Sequence, residues 1–135
     1  MTPAADLLIT NGLVITMDAQ GSLVENGAVT VVGDAIAAVG PTDELSKTPA
    51  RETIDACGGI VMPGLVNTHT HAAMTLFRGL ADDLPLGEWL NEHIWPAEGR
   101  FVSDAFVRDG TRLAALEMIR GGTTCFADMY FFPDE

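Results

Sequence analysis

His69-Thr70-His71 is the group whose residue types and spacing point most directly to chemistry. On an extended backbone side chains alternate, so the two imidazoles share one face with their Cα atoms roughly 6.5–7 Å apart. At that reach they can converge on one metal ion. They follow Pro63-Gly64 and the apolar run that ends at Asn67, and they precede a long connection instead of a tight turn. The carboxyl end of a strand is where barrels and doubly wound sheets hold their sites. The plain alternative is a pair of histidines in a polar loop. Two ligands also fall short of the three that a catalytic zinc takes beside its open position. His93 does not complete the set: it falls on an expected helix and reads as a surface or pocket histidine. Cys57 and Cys125 form no CxxC pair and read as small, reduced core residues.

The elements around the histidines follow from periodicity and turn chemistry. Asp6–Thr10, Asn11-Gly12 and Leu13–Thr16 have the form of a hairpin, because Asn-Gly tolerates the positive φ angles of a two-residue turn. Ala28–Val32, Gly33-Asp34 and Ala35–Val39 form a second such pair, stopped by Gly40-Pro41. Residues 42–52 read as a polar connection with one helical turn near Glu44-Leu45. Ile54 resumes the extended pattern. Short strands at this spacing predict a small β-sandwich, or part of one. Residues 60–67 are almost all apolar and predict a strand buried on both faces.

After that strand the rhythm changes. An excursion over 72–102 carries a predicted helix at 86–94. Ser103 stands where an N-cap belongs, with Asp104 in the first turn. Val107, Thr111, Ala114, Ala115 and Met118 then recur at helical spacing, opposite Asp109, Arg112, Glu117 and Arg120. Gly121-Gly122 ends the helix, and 123–131 predicts a second buried strand. The expectation is a βαβ unit with a parallel sheet. Leu113 falls on the polar side, and something outside these residues is expected to cover it. Asp128, at the end of the second strand, is placed for function but is equally suited to structural hydrogen bonding. Arg78 is expected in a salt bridge within the excursion.

Of 135 residues, 47% are hydrophobic and 19% charged, which excludes a disordered chain. Seven Lys and Arg against nineteen Asp and Glu give a formal net charge of −12, a field that repels nucleic acid and anionic membranes. No apolar run approaches the ~20 residues of a spanning helix. The first residues lack the basic and apolar regions of a secretory signal. A cytoplasmic location is the expectation.

Pro63-Gly64-Leu65-Val66-Asn67-Thr68-His69-Thr70-His71 resembles the signature of the amidohydrolase superfamily. Residues 73–79 and 82–86 resemble its deaminase and chlorohydrolase branch. Trp89-Leu90, Ile94–Glu98 and Gly121–Phe131 are most similar to 5-methylthioadenosine/S-adenosylhomocysteine deaminases. The resemblance implies an α/β fold: residues 1–59 give strands of a composite β-sandwich. Residues 60–135 then give the first two strands and first helix of a metal-dependent (β/α)8 barrel, incomplete in this chain.

It also implies residue roles. His69 and His71 would hold one zinc ion, Glu98 would contact ribose hydroxyls, and Trp89 would line a nucleoside pocket. Without the resemblance, Trp89 reads as a lid-helix core residue and Glu98 as a helix-end charge. The implied reaction is hydrolytic deamination of an adenine nucleoside to the inosine product and ammonia. Zinc would acidify the attacking water, and a general acid/base would serve the ring nitrogen and the leaving amine. The pattern of cytidine-deaminase-type sites is missing. The later ligands and the acid/base groups of the family fall beyond residue 135, so no catalytic residue is assigned here. The expectation is an N-terminal fragment of a larger enzyme, inactive alone, whose partners are a nucleoside, the rest of its barrel and possible copies of itself. A guanine or cytosine deaminase, a triazine hydrolase and a non-catalytic scaffold are the alternatives. Glu98 separates the first group, since a ribose-binding carboxylate is idle for a free base.

Overall fold

The computed structural model describes residues 4–132 and divides between Pro63 and Gly64 into two compact units. In the first unit β1 (Ala5–Ile15) is the central strand of a mixed five-stranded sheet. It pairs antiparallel with β2 (Leu23–Val32), which pairs antiparallel with β3 (Ala35–Pro41). The opposite edge of β1 takes two parallel partners, β4 (Ala50–Asp55) and β5 (Ile60–Val61). A single helical turn, α1 (Thr42–Leu45), joins β3 to β4. Alternate residues Leu8, Thr10, Gly12 and Val14 of β1 are buried, with Ala28, Val29 and Thr30 of β2 beside them.

Two expectations for this unit change. The Asn11-Gly12 hairpin does not form, and β1 runs straight through it. Asn11 does take the positive φ of 57° that its type allows, but it spends it on a bulge: between Ile9↔Val29 and Gly12↔Gly27 the strand carries an extra residue. Its amide donates to Thr42 Oγ1 at 3.0 Å and its side chain to Asp55 Oδ1 at 3.0 Å. A Cβ on Gly12 would stand 2.6 Å from Val61 Cγ2, so the glycine admits β5 beside the bulge. The Gly33-Asp34 turn forms as expected, with Gly33 at φ 62°.

The second correction concerns 60–67, which is not one buried strand. Ile60 and Val61 belong to the first sheet, Pro63 offers no amide proton to continue a ladder, and a new strand begins at Leu65. Leu65 and Val66 are 50% and 62% exposed.

The second unit begins with β6 (Leu65–Thr70), which pairs parallel with β7 (Thr123–Asp128). Between them lie a 3-10 segment (Ala72–Phe77), α2 (Leu86–Glu88), a π-helical stretch (Trp89–Ile94), α3 (Trp95–Phe101) and α4 (Asp104–Arg120). The helix predicted at 86–94 thus continues to Phe101. Pro96 does not stop it: the backbone is helical through Ile94 and Trp95, and the proline falls directly after the π-helical turn, where the regular hydrogen-bond ladder is already interrupted. The Ser103 cap forms, accepting from the Phe106 amide at 3.3 Å, and Gly122 takes φ 81° just past the end of α4. Val107 and Ala114 are buried, together with Gly110. Leu113, Leu116 and Ile119 are uncovered among the described residues. Neither face of β7 is sealed, and the strand ends at Asp128, short of the expected 131. The architecture is α/β with a parallel strand pair, and no closed barrel forms.

Candidate metal and substrate site

His69 lies near the end of β6 and His71 one residue beyond it. Strict alternation is not all that places them. Between Asn67↔Phe126 and Thr70↔Asp128, β6 carries one more residue than β7, and the His69 amide donates to Asn67 Oδ1 at 3.2 Å. Such an irregularity at a strand end re-aims side chains. The imidazoles nevertheless converge, with ring centroids 5.1 Å apart and planes at 79°.

The hydrogen bonding of His71 settles its tautomer. Nδ1 stands 2.6 Å from the Met129 carbonyl oxygen, which can only accept, so Nδ1 carries the proton. In the neutral ring that places the lone pair on Nε2, the arrangement a metal-binding imidazole requires. The donor set therefore fits a zinc ion as two of its ligands. Among the described residues no third His, Cys, Asp or Glu joins them.

Asp128 acts through hydrogen bonds to backbone. Its Oδ1 accepts from the amides of Ala72 at 2.9 Å and Met129 at 3.0 Å. One carboxylate thereby fixes the residue after His71 and the residue whose carbonyl orients His71. Ala72 and Ala73 are fully buried, and a Cβ on Gly110 would stand 2.6 Å from the Ala73 carbonyl oxygen. The segment carrying His71 thus rests directly on α4.

A cavity of about 480 Å³ opens beside His71. Trp89, Ile94, Trp95 and Glu98 form one wall, with Met129 and Tyr130 on another. The size falls within the ~300–1,000 Å³ usual for small-molecule sites, and the lining is mostly apolar with a few polar groups. His71, Trp89 and Glu98 are brought together here, while His69 is exposed and does not line the cavity. Tyr130 donates its hydroxyl to Glu98 Oε1 at 2.9 Å. Burial, reinforced by that bond to a carboxylate, pushes the phenol's pKa up, so Tyr130 remains a donor throughout the ordinary pH range. Tyr130 falls within the Gly121–Phe131 stretch that carries the resemblance, but nothing in the sequence assigned it a role.

Other expectations resolve away from the cavity. His93 lies in a different depression, with Leu76, Phe77 and Arg78. Arg78 does form an ion pair, but with Glu117 of α4 and not within the excursion. Nη1 meets Oε1 at 3.0 Å. Cys57 and Cys125 are free but exposed, so the expectation that they fill the core is wrong. Cys57 sits at φ 50° in a turn, and Cys125 lies on the unsealed β7.

With this geometry in place, the comparisons with known proteins are specific. Residues 60–135 match the model of the amidohydrolase family, and the chain belongs to that family. It is 56% identical over 131 residues to a 5'-deoxyadenosine deaminase from Methanococcoides burtonii, covering 97% of this chain and 29% of that protein. It is 57% identical over 129 residues to a 5-methylthioadenosine/S-adenosylhomocysteine deaminase from Syntrophobacter fumaroxidans, covering 95% and 29%. Among solved structures it is similar to an adenosine deaminase from Xanthomonas campestris with bound zinc. That match has 47% identity and a TM-score of 0.91, over 98% of this chain and 31% of the other. The chain thus spans about 29% of the length of these curated relatives. Its fold is the N-terminal part of an amidohydrolase barrel enzyme.

Proposed function

We propose that the full-length protein is a zinc-dependent hydrolase that deaminates an adenine nucleoside, such as 5'-deoxyadenosine or 5-methylthioadenosine, to the inosine product and ammonia. The observation that carries this reading is the shared cavity of His71, Trp89 and Glu98, with His71 Nε2 free to bind metal. The names of the relatives support the substrate class. A zinc-bound neighbour supports the metal.

In this reading His69 and His71 hold the zinc, which supplies Lewis acidity and acidifies water. Asp128 and the Met129 carbonyl fix the position and tautomer of His71. Trp89 gives the adenine ring an apolar, polarisable surface and excludes water from it. Glu98 accepts hydrogen bonds from the two adjacent ribose hydroxyls, for which a carboxylate has lone pairs to spare. The groups that donate and accept protons at the purine come from outside this chain, which is inactive by itself. The residues up to Pro63 supply part of a β-sandwich and those from Gly64 the start of the barrel, with 72–102 on the substrate side. Two free cysteines suit a cytoplasmic location.

A substrate panel tests the proposal. Ammonia release by the full-length protein should be fast with adenine nucleosides and at least ~100-fold slower with guanine, cytosine or chlorotriazines, since a site built for polar groups rejects analogues lacking them. Preference for a free base or a triazine would move the protein to another activity of the branch. Inertness toward all of them, with zinc absent, would make it a scaffold.

A further inference from the structure

We propose that Tyr130 is a positioning residue that latches Glu98 and thereby sets the selectivity of the cavity for a ligand carrying a vicinal diol. The proposal rests on the reading of Glu98 as the ribose-binding carboxylate and deepens it.

The geometry is specific. Among the described residues, Tyr130–Glu98 is the one side-chain hydrogen bond that ties the helical stretch 86–101 to the strand ends. Glu98 lies on α3 and Tyr130 just after β7, 32 residues on. Tyr130 also lines the cavity beside His71, its ring centroid 6.3 Å from that of His71. A half-buried glutamate at a cavity rim has several rotamers and a strong pull toward water. A phenol donating to Oε1 removes that freedom and leaves Oε2, with the second lone pair of Oε1, to accept from a ligand. Two adjacent hydroxyls can then be met by a carboxylate already in place. The ring's packing on Phe131, at a centroid distance of 5.0 Å, holds the latch itself.

The test is carried out in the full-length zinc-loaded protein. It compares KM and kcat for 5'-deoxyadenosine, which has the diol, with those for 2',3'-dideoxyadenosine, which lacks it. Tyr130→Phe keeps the ring and removes only the donor. It should raise KM for the diol substrate about 3–10-fold, the scale of one ordinary hydrogen bond. It should leave kcat and the KM of the dideoxy substrate within twofold. Glu98→Gln should abolish the preference for the diol, and adding Tyr130→Phe to it should change nothing further. Glu98→Asp, which keeps the charge but draws it out of Tyr130's reach, should repeat the KM effect if Tyr130→Phe does not accumulate.

Undiminished diol preference in Tyr130→Phe or in Glu98→Asp overturns the latch. So does an equal loss on both substrates, which would mean a packing role. If Glu98→Gln leaves the preference intact, the ribose reading of Glu98 fails first and the latch with it.

Discussion

His71 shows how little a spacing argument needs in order to succeed, and what it leaves out. The HxH pair was legible because two imidazoles past an apolar strand have few other uses. Alternation alone leaves out what lies around them: a register irregularity between Asn67 and Thr70, and Met129 and Asp128, which hold the second histidine. Tyr130 was invisible because its partner Glu98 is brought to it by chain folding and not by spacing. Glu117 gives a prediction at this scale. The Arg78 guanidinium, through its hydrogen bonds, holds the Glu117 carboxyl below the usual carboxylate range, and Glu117 in turn raises the pKa of Arg78. A carboxyl with a depressed folded-state pKa contributes stability that is complete above its unfolded value, ~4.3, and is lost as pH falls through the folded one. Denaturant unfolding of Arg78→Ala against the parent should therefore differ at pH 7 and converge once pH falls below the lowered pKa of Glu117. Both side chains are exposed, so the difference at pH 7 should be small and shrink with salt. A gap that persists at low pH would assign the effect to something other than the ion pair.

At the scale of elements, Gly110 connects the helix to the site. An alanine there gains roughly 1 kcal/mol of helix propensity, yet its Cβ would meet the Ala73 backbone at 2.6 Å. Backbone cannot swing aside as a side-chain tip can, so the clash, about 1–3 kcal/mol, should win. Gly110→Ala should lower stability and weaken zinc binding together, read by thermal melting and metal content, because the displaced segment begins next to His71. Ser103→Ala should instead cost about 1 kcal/mol of stability with no effect on zinc. The Ser103 cap and the Gly121-Gly122 stop were legible because their chemistry is local; Gly110 was not, because what crowds it is Ala73, far away in sequence. The β1 bulge was not, since Asn-Gly offers the same positive φ to a bulge as to a hairpin, and partners distant in sequence, Thr42 and Asp55, decide between them. The helix predicted to end at 94 runs on to Phe101 past Pro96, which follows a π-helical turn that local sequence does not announce.

For the whole molecule, large apolar side chains of both β6 and α4 lie open in this chain. Val66, Leu116 and Ile119 are 62%, 61% and 70% exposed, and the β6–β7 pair has both edges free among the described residues. Residues 1–135 produced alone should self-associate and bind apolar dyes, whereas the full-length protein should not; light scattering across a dilution series distinguishes the two. No helix among the described residues is long and apolar enough to cross a membrane. The most direct test of the whole account is the zinc content of the full-length protein, by elemental mass spectrometry, before and after replacing both histidines with alanine. The account predicts one zinc per chain in the parent. The double variant should hold less than a tenth of that and release no detectable ammonia from 5'-deoxyadenosine. Undiminished zinc and ammonia release in the double variant would contradict it.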